Sequence, residues 1–452
     1  MKLLKFSTAL ACFLSLGLFP HPAFAQSQGI PETIADLEII DVSDSAPLTL
    51  KMALEAAEIR NPRIQAAQQR LEISQTDIRL ARSGWLPVIE ANASYGYLAQ
   101  DNEFTIAPES SISGTSSNLG VSLRQPLFRG NQVKNAVKSA MSNASATEAQ
   151  IATERQQIFL EVATTYLEVQ RDLSILRLNL ESLETLKEQL KANQKRYEYK
   201  DTSLTDVARS RSAVARTQTQ IATARARYSA SRAVFFGLTG LQSGSLVDVS
   251  DVPNLPMSFE EAFNRAMENN PSIASVQLRL EASHYAVKQA KGQRLPSIDF
   301  NSSVNRGRRP ENFGRFSDDR TTTNFSANVS VTVPIFQADQ EFGNIKRAKQ
   351  IKKLREIEVT QTMANLRDNV SVIWDRLRNA KIGLSFHDDA IASAESAAEG
   401  TRAIYRSGLV SVIDLTETER LLLETKIARE QAQHEYYVIA YTLLSAMGDI
   451  RT

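Results

Sequence analysis

Hydrophobic positions in this chain follow two periods, and the switch between them happens twice. Leu50, Ala53, Leu54 and Ala57 recur at helical spacing up to Asn61-Pro62, and a second helix is predicted over 62–82, with its copy over 271–291. After Leu86-Pro87 the period becomes two. Ile89, Ala91, Ala93, Tyr95 and Tyr97 alternate with Glu90, Asn92, Ser94 and Gly96, and Leu119, Val121 and Leu123 alternate with Gly120, Ser122 and Arg124. The second switch follows Leu295-Pro296. There Ile298, Phe300 and Val304 face away from Asp299, Asn301 and Asn305, and Phe325, Ala327, Val329, Val331 and Val333 alternate with Asn324, Ser326, Asn328, Ser330 and Thr332. The pattern predicts four strands in two hairpins, about 88–128 and 297–336, with tips at 101–115 and 306–320. Each strand is about the 9–11 residues a membrane-spanning strand needs. Small polar residues on the second face suit a wet lumen, and four strands alone cannot close a barrel.

Elsewhere the steps average 3.5 residues. Val162, Tyr166, Val169, Leu173, Leu176, Leu180, Leu183, Leu186 and Leu190 form one seam, and a second runs from Met363 through Leu366, Val370, Ile373 and Leu377 towards Ala398. Long helices are expected at about 131–237 and 340–447, the first segment of which would be roughly 100 Å long. On the helices alone, a coiled-coil stalk and an open cylinder of helices read equally. The strand hairpin inside each half favours the cylinder.

The two halves are a repeat. Residues 50–89 match 259–298 at an offset of 209 with 14 identities in 40 positions, and from Val121/Val329 to Gly240/Gly448 the offset is 208. We therefore divide the chain into 1–25, 26–46, a first repeat over 47–248 and a second over 249–452. Proline agrees with this, since all 14 prolines lie at or before Pro334 and none falls in 127–252 or 335–452.

Composition mainly excludes. Lys and Arg number 52 against 51 Asp and Glu, which gives no basic field for nucleic acid. Lys2 and Lys5, the apolar stretch from Phe6 to Phe19 and Ala23-Phe24-Ala25 read as a secretory signal peptide, and the only cysteine, Cys12, lies inside it. No nucleophile elbow, phosphate loop or metal-ligand spacing occurs, so neither an enzyme nor a cofactor or metal site is expected.

Asn61-Pro62 and Asn270-Pro271, Leu86-Pro87 and Leu295-Pro296, Pro126-Leu127-Phe128 and Pro334-Ile335-Phe336 recur in order. With the turn from Tyr405 through Gly408-Leu409 and Ser411 to Asp414-Leu415, they make the chain resemble the TolC-like outer-membrane efflux and secretion channels over about residues 46–450. The resemblance implies an α+β, mainly α fold: a homotrimer whose protomers each give four strands to one outer-membrane β-barrel in lipid, continued by a long periplasmic α-helical barrel. It also implies a passive duct partnered by a periplasmic adaptor (membrane fusion protein) and an inner-membrane RND or ABC transporter. By resemblance Asp414 and Glu417, with Asp206, form a pore constriction. Arg209 and Tyr405 are mouth-closing ties, and Gly408, Leu409 and Ser411, with Thr202 and Ser203 in the first copy, dock the adaptor. The first copy departs from the pattern, having Lys200-Asp201 where the second has Gly408-Leu409. Two other classes compete, a periplasmic adaptor and a structural coiled-coil envelope protein. The first would carry one helical hairpin rather than two, and the second would not need the strands.

Overall fold

The computed structural model describes residues 47–102, 110–249, 255–313 and 316–451. The signal peptide expected at 1–25 and the segment 26–46 lie outside the described residues. Each half runs helix, helix, strand, strand, long helix, shorter helix. In order these are α1 (Leu50–Arg60), α2 (Pro62–Ser83), β1 (Val88–Asn102), β2 (Ser110–Arg129), α3 (Gln132–Glu198) and α4 (Leu204–Thr239). The second set is α5 (Phe259–Asn269), α6 (Pro271–Gly292), β3 (Ser297–Phe313), β4 (Phe316–Thr332), α7 (Gln340–Arg406) and α8 (Val412–Met447).

The Asn-Pro pairs do more than interrupt a helix. Asn61 ends α1 and caps α2, its side chain accepting from the Arg63 amide at 2.9 Å while Pro62 takes the first helical position. Its amide group then donates to the Leu238 carbonyl at 3.2 Å, satisfying the end of α4. Asn270 repeats every part of this, accepting from Ser272 and donating to the Ala446 carbonyl at the end of α8 at 2.8 Å. One residue thereby closes three helix ends, two with its side chain and that of α1 with its backbone N–H.

The corners from strand to long helix are also duplicated. Gly130-Asn131 and Ala338-Asp339 each place two consecutive residues in the left-handed region, at φ 57°, 61°, 49° and 65°. Gly130 has a second reason to lack a side chain, because a Cβ there would lie 2.3 Å from the Gly292 carbonyl oxygen. The second copy accepts Ala338 in the strained conformation.

The four strands form one antiparallel sheet in the order β1-β2-β3-β4. Its register sets the faces. Ala91, Val121, Val304 and Phe325 lie in one row, with Ile89 and Leu123 beside them on the same side, and Asn92, Gly120, Asn305 and Asn324 lie in a row on the other. The apolar face is open: Ile89, Leu119, Phe325, Val329 and Val331 are each about 60–70% exposed. On the polar face Asn301 donates to Ser330 at 3.1 Å, Ser303 and Ser326 share a 2.9 Å hydrogen bond, and Arg129 pairs with Asp299 at 2.9 Å. The strands are 15, 20, 17 and 17 residues long, well beyond the 9–11 expected. Stretches read as hairpin tips, 110–115, 306–313 and 316–320, continue the ladder. Backbone pairing needs no apolar side chains, and the alternation fades there because the residues become Ser, Thr and Arg.

The densest core lies where the short helices wrap the long ones. Tyr166, Phe235, Ile158, Ile221, Leu443 and Met447 are almost fully buried. The Tyr166 hydroxyl lies 2.8 Å from the Leu48 carbonyl and 2.6 Å from that of Val247, fastening the chain entering and leaving the first repeat to α3.

Candidate functional site

The turns that join α3 to α4 and α7 to α8 hold the candidate residues. The helix-ending hydrogen bonds match in the two copies. Lys200 N–H bonds to the Tyr197 carbonyl and Asp201 N–H to that of Arg196, as Gly408 bonds to Tyr405 and Leu409 to Ile404. Lys200, at φ 62°, occupies the left-handed position that Gly408 fills at φ 80°. The departure read in the sequence is therefore one of side chain, not of backbone. A lysine in this conformation costs about 1 kcal/mol. The Arg196 guanidinium, 2.9 Å from the Asp201 carboxylate, braces the same turn.

Ser203 and Ser411 begin α4 and α8 with complete capping boxes. The Ser203 hydroxyl accepts from the Asp206 amide at 3.1 Å and donates to its carboxylate at 2.7 Å. Ser411 and Asp414 do the same at 3.3 and 2.7 Å. Thr202 adds a third bond to Asp206 at 3.1 Å. The Ser203 hydroxyl foremost, then Thr202, holds the Asp206 carboxyl below the usual carboxylate range. These hydroxyls shape the turns and are already engaged. The exposed apolar tip is Leu409, 82% accessible.

Glu417 follows Asp414 by one turn of α8 and points to solvent, where Arg420 grips it in an ion pair. That hydrogen bond, with the Arg216 charge behind it, lowers the Glu417 pKa. Arg420 also bonds to Glu424 at 2.5 Å. In the first copy Arg209 stands where Glu417 stands in the second and lies 3.9 Å from Asp206. A groove of about 320 Å³ between α4 and α8 is lined by Arg209, Arg216, Thr416, Glu417 and Arg420. Its charge is mixed rather than acidic.

Tyr405 joins the two hairpins. Its hydroxyl donates to the side-chain amide oxygen of Asn193 on α3, and the Arg196 guanidinium lies 5.4 Å from the centre of its ring. Asn193, 1% exposed, also donates to Ser210 of α4 at 2.7 Å, so one buried amide ties three helices. Beside it, Arg402 holds the buried Glu419 at 2.5 and 2.7 Å, and Gln189 of α3 reaches the same carboxylate at 3.5 Å. Sequence reasoning singled out Tyr405 but missed Asn193, Ser210, Arg402 and Glu419. One signal was present: the apolar seam ending at Leu190 continues three residues on at Asn193, a polar residue at a buried position.

Two sections of the chain, 53–241 and 262–449, match the family model described as outer membrane efflux protein. The outer membrane efflux protein BepC of Brucella suis is 26% identical over 402 residues, covering 88% of this chain and 85% of that one. The outer membrane protein TolC of Escherichia coli K12 is 22% identical over 424 residues, covering 89% and 82%. The alkaline protease secretion protein AprF of Pseudomonas aeruginosa is 20% identical over 407 residues, covering 87% and 83%. Among solved structures, the outer-membrane channel OprN superimposes with a TM-score of 0.74 at 17% identity over 89% of this chain and 90% of its own. The CmeC outer membrane channel of Campylobacter jejuni also gives 0.74 at 17%, over 88% and 85%. With both repeats matched, these likenesses identify a TolC-like channel protein of the outer membrane rather than an enzyme, and the chain belongs to the outer membrane efflux protein family.

Proposed function

We propose that three copies of this chain form one passive exit duct for a tripartite efflux pump or a type I secretion system. The observation that carries this reading is the open sheet. β1 and β4 are its edges, one face is apolar and exposed, and the other is polar. Unpaired backbone groups in hydrocarbon cost several kcal/mol each, so an edge in lipid must meet another strand. A four-stranded sheet is too small to close on itself. Twelve strands from three copies leave no edge, with the apolar face to lipid and the Asn- and Ser-rich face to a wet lumen. Light scattering on detergent-solubilised protein is expected to give a mass of three chains, and a monodisperse monomer would refute the assembly.

In such a trimer the turns between the long helices form the periplasmic mouth. Leu409, on the Gly408 turn, is the adaptor-facing contact, while Ser411, Thr202 and Ser203 hold the turns in shape. Asp414, Glu417 and Asp206 line the constriction, and Tyr405 with Arg209 helps to hold it shut. The adaptor links this mouth to an inner-membrane RND or ABC transporter. BepC and AprF carry efflux and protease secretion in their names, and both cargo classes suit a duct without a substrate pocket of its own. Replacing Asp414 and Glu417 together by alanine is expected to weaken cation selectivity and cation block several-fold in planar bilayers. Because Arg420 holds the Glu417 pKa down, Glu417 keeps its charge as pH falls into the usual carboxylate range. A double variant with wild-type selectivity would move the constriction elsewhere.

A further inference from the structure

The sheet register places arginine where a lipid-facing row should end. Three rows on the apolar face read, away from the long helices, Ala91–Val121–Val304–Phe325, then Ala93–Leu119–Arg306–Thr323, then Tyr95–Ser117–Arg308–Thr321. Arg306 and Arg308 are two residues apart on one strand, so they share the face of Val304, and both are exposed. Their level is marked by Tyr95, 79% exposed, in the same row as Arg308, with Tyr97 one row further out. Tyrosines at the end of an apolar band mark the boundary between hydrocarbon and headgroups.

The two arginines are not equivalent. Arg308 is paired with Asp319 through a two-pronged contact from Nε, at 3.0 Å, and Nη2. Arg306 makes no hydrogen bond or ion pair among the described residues, and the exposed hydroxyls of Thr321 and Thr323 flank it on β4. Arg309, one residue further on, points to the lumen face opposite Arg320. The first hairpin carries no basic residue at the same level, so the feature belongs to the second hairpin alone.

We propose that Arg306 and Arg308, with Thr321 and Thr323, form a lipid-facing site for phosphate-bearing headgroups of the outer leaflet. The proposal rests on the outer-membrane placement of this sheet. A guanidinium fork matches a phosphate in two parallel hydrogen bonds. At this depth an arginine faces headgroups, not hydrocarbon, and costs little to hold there. Arg306 is the primary anchor. Arg308, about 7 Å away along the strand, is oriented by Asp319, which offsets part of its charge, and adds further guanidinium donors. In a closed ring these sites alternate with the tyrosine-bearing first hairpins.

The test uses the full protein in phosphatidylcholine nanodiscs doped with bisphosphorylated lipid A or with the same lipid stripped of its phosphates. Lipid retained after detergent extraction is read by native mass spectrometry. Each arginine near an anionic headgroup is worth about 1 kcal/mol, or about fivefold in retention. Wild-type protein should prefer the phosphorylated lipid by at least that factor. R306Q/R308Q should erase the preference, R306K/R308K should keep only part of it, and the lumen-facing R309Q/R320Q should leave it intact. If R306Q/R308Q does not assemble, the lysine pair decides, because it keeps charge and loses the fork. Equal retention by wild type and R306Q/R308Q would overturn the proposal, as would loss of preference in R309Q/R320Q alone. Release of the lipid by equimolar inorganic phosphate would also overturn it, since that marks a site for solution anions. Conductance of the same samples reports on the duct separately.

Discussion

Replacing Asn193 by alanine is expected to open the periplasmic mouth, raising single-channel conductance several-fold at neutral pH. Asn193 is buried, and its amide is the shared partner of the Tyr405 hydroxyl on α7 and Ser210 on α4. Truncation leaves the half-buried Tyr405 hydroxyl without its partner, while Ser210 keeps its bond to the Asp206 carbonyl at 3.0 Å, and an orphaned polar group costs about 1–3 kcal/mol. A symmetric trimer repeats the loss at three places, so even the lower figure removes about 3 kcal/mol from the closed state. That shifts a two-state opening by roughly a hundredfold. Tyr405→Phe removes only the bond between hairpins and leaves Asn193 with Ser210, so its effect should have the same sign and be smaller. Glu419→Ala should act differently. It strands the Arg402 guanidinium and loosens α7 against α8, losing across the hairpins only the long 3.5 Å contact from Gln189, which lowers thermal stability more than it raises conductance. Wild-type conductance in Asn193→Ala, with unchanged melting, would mean that the hairpins are held by packing and that the tie is incidental.

The contrast between Asn193 and Asn61 shows which parts of this protein its sequence announces. Asn61-Pro62 acts through neighbours in the chain, and its copy at Asn270-Pro271 doubles the signal. The strand faces were legible for the same reason, because a period of two is a local property. Asn193 and Tyr405 are 212 residues apart and belong to different repeats, so no motif joins them. Their contact follows from how two hairpins pack side by side. The Lys200 turn was hidden for another reason: lysine does not announce a left-handed residue as glycine does, and the neighbouring helix ends impose the conformation. Arg306 and Arg308 were hidden by the change in composition. They read as part of a charged hairpin tip, and only the register shows that the sheet continues through them with its faces unchanged. The two turn aspartates carry a role that charge alone did not announce. Asp206 and Asp414 were singled out for charge, and the structure adds that each is also the third residue of a capping box. Altering either therefore disturbs a turn as well as a charge, which is why selectivity and folding must be measured together in any variant there.

Val329→Arg is expected to abolish assembly in the outer membrane, whereas Asn328→Arg is expected to assemble and to alter conductance. Val329 stands at the middle of the β4 apolar run, between Val331 and Ala327, with Phe300 beside it on β3. Asn328 is its neighbour in the chain but lies opposite Asn301 on the other face. An arginine on the lipid face at mid-depth costs about 2–4 kcal/mol per strand. Three copies in a closed ring bring this to about 6–12 kcal/mol, comparable with the whole stability of a typical folded domain. At position 328 the same side chain enters a water-filled lumen already lined with Asn, Ser and Arg124, where its charge stays hydrated. Outer-membrane yield and detergent-resistant trimer should therefore fall for one variant and hold for its neighbour. The reverse result would exchange the two faces, and with them the assignment of lumen and lipid. The native arginine at 306 makes the comparison sharper. It shares the face of Val329 but lies one row beyond the last apolar row, where the cost falls to about 0–1 kcal/mol. The same residue type on the same face is thus forbidden or accepted according to depth alone.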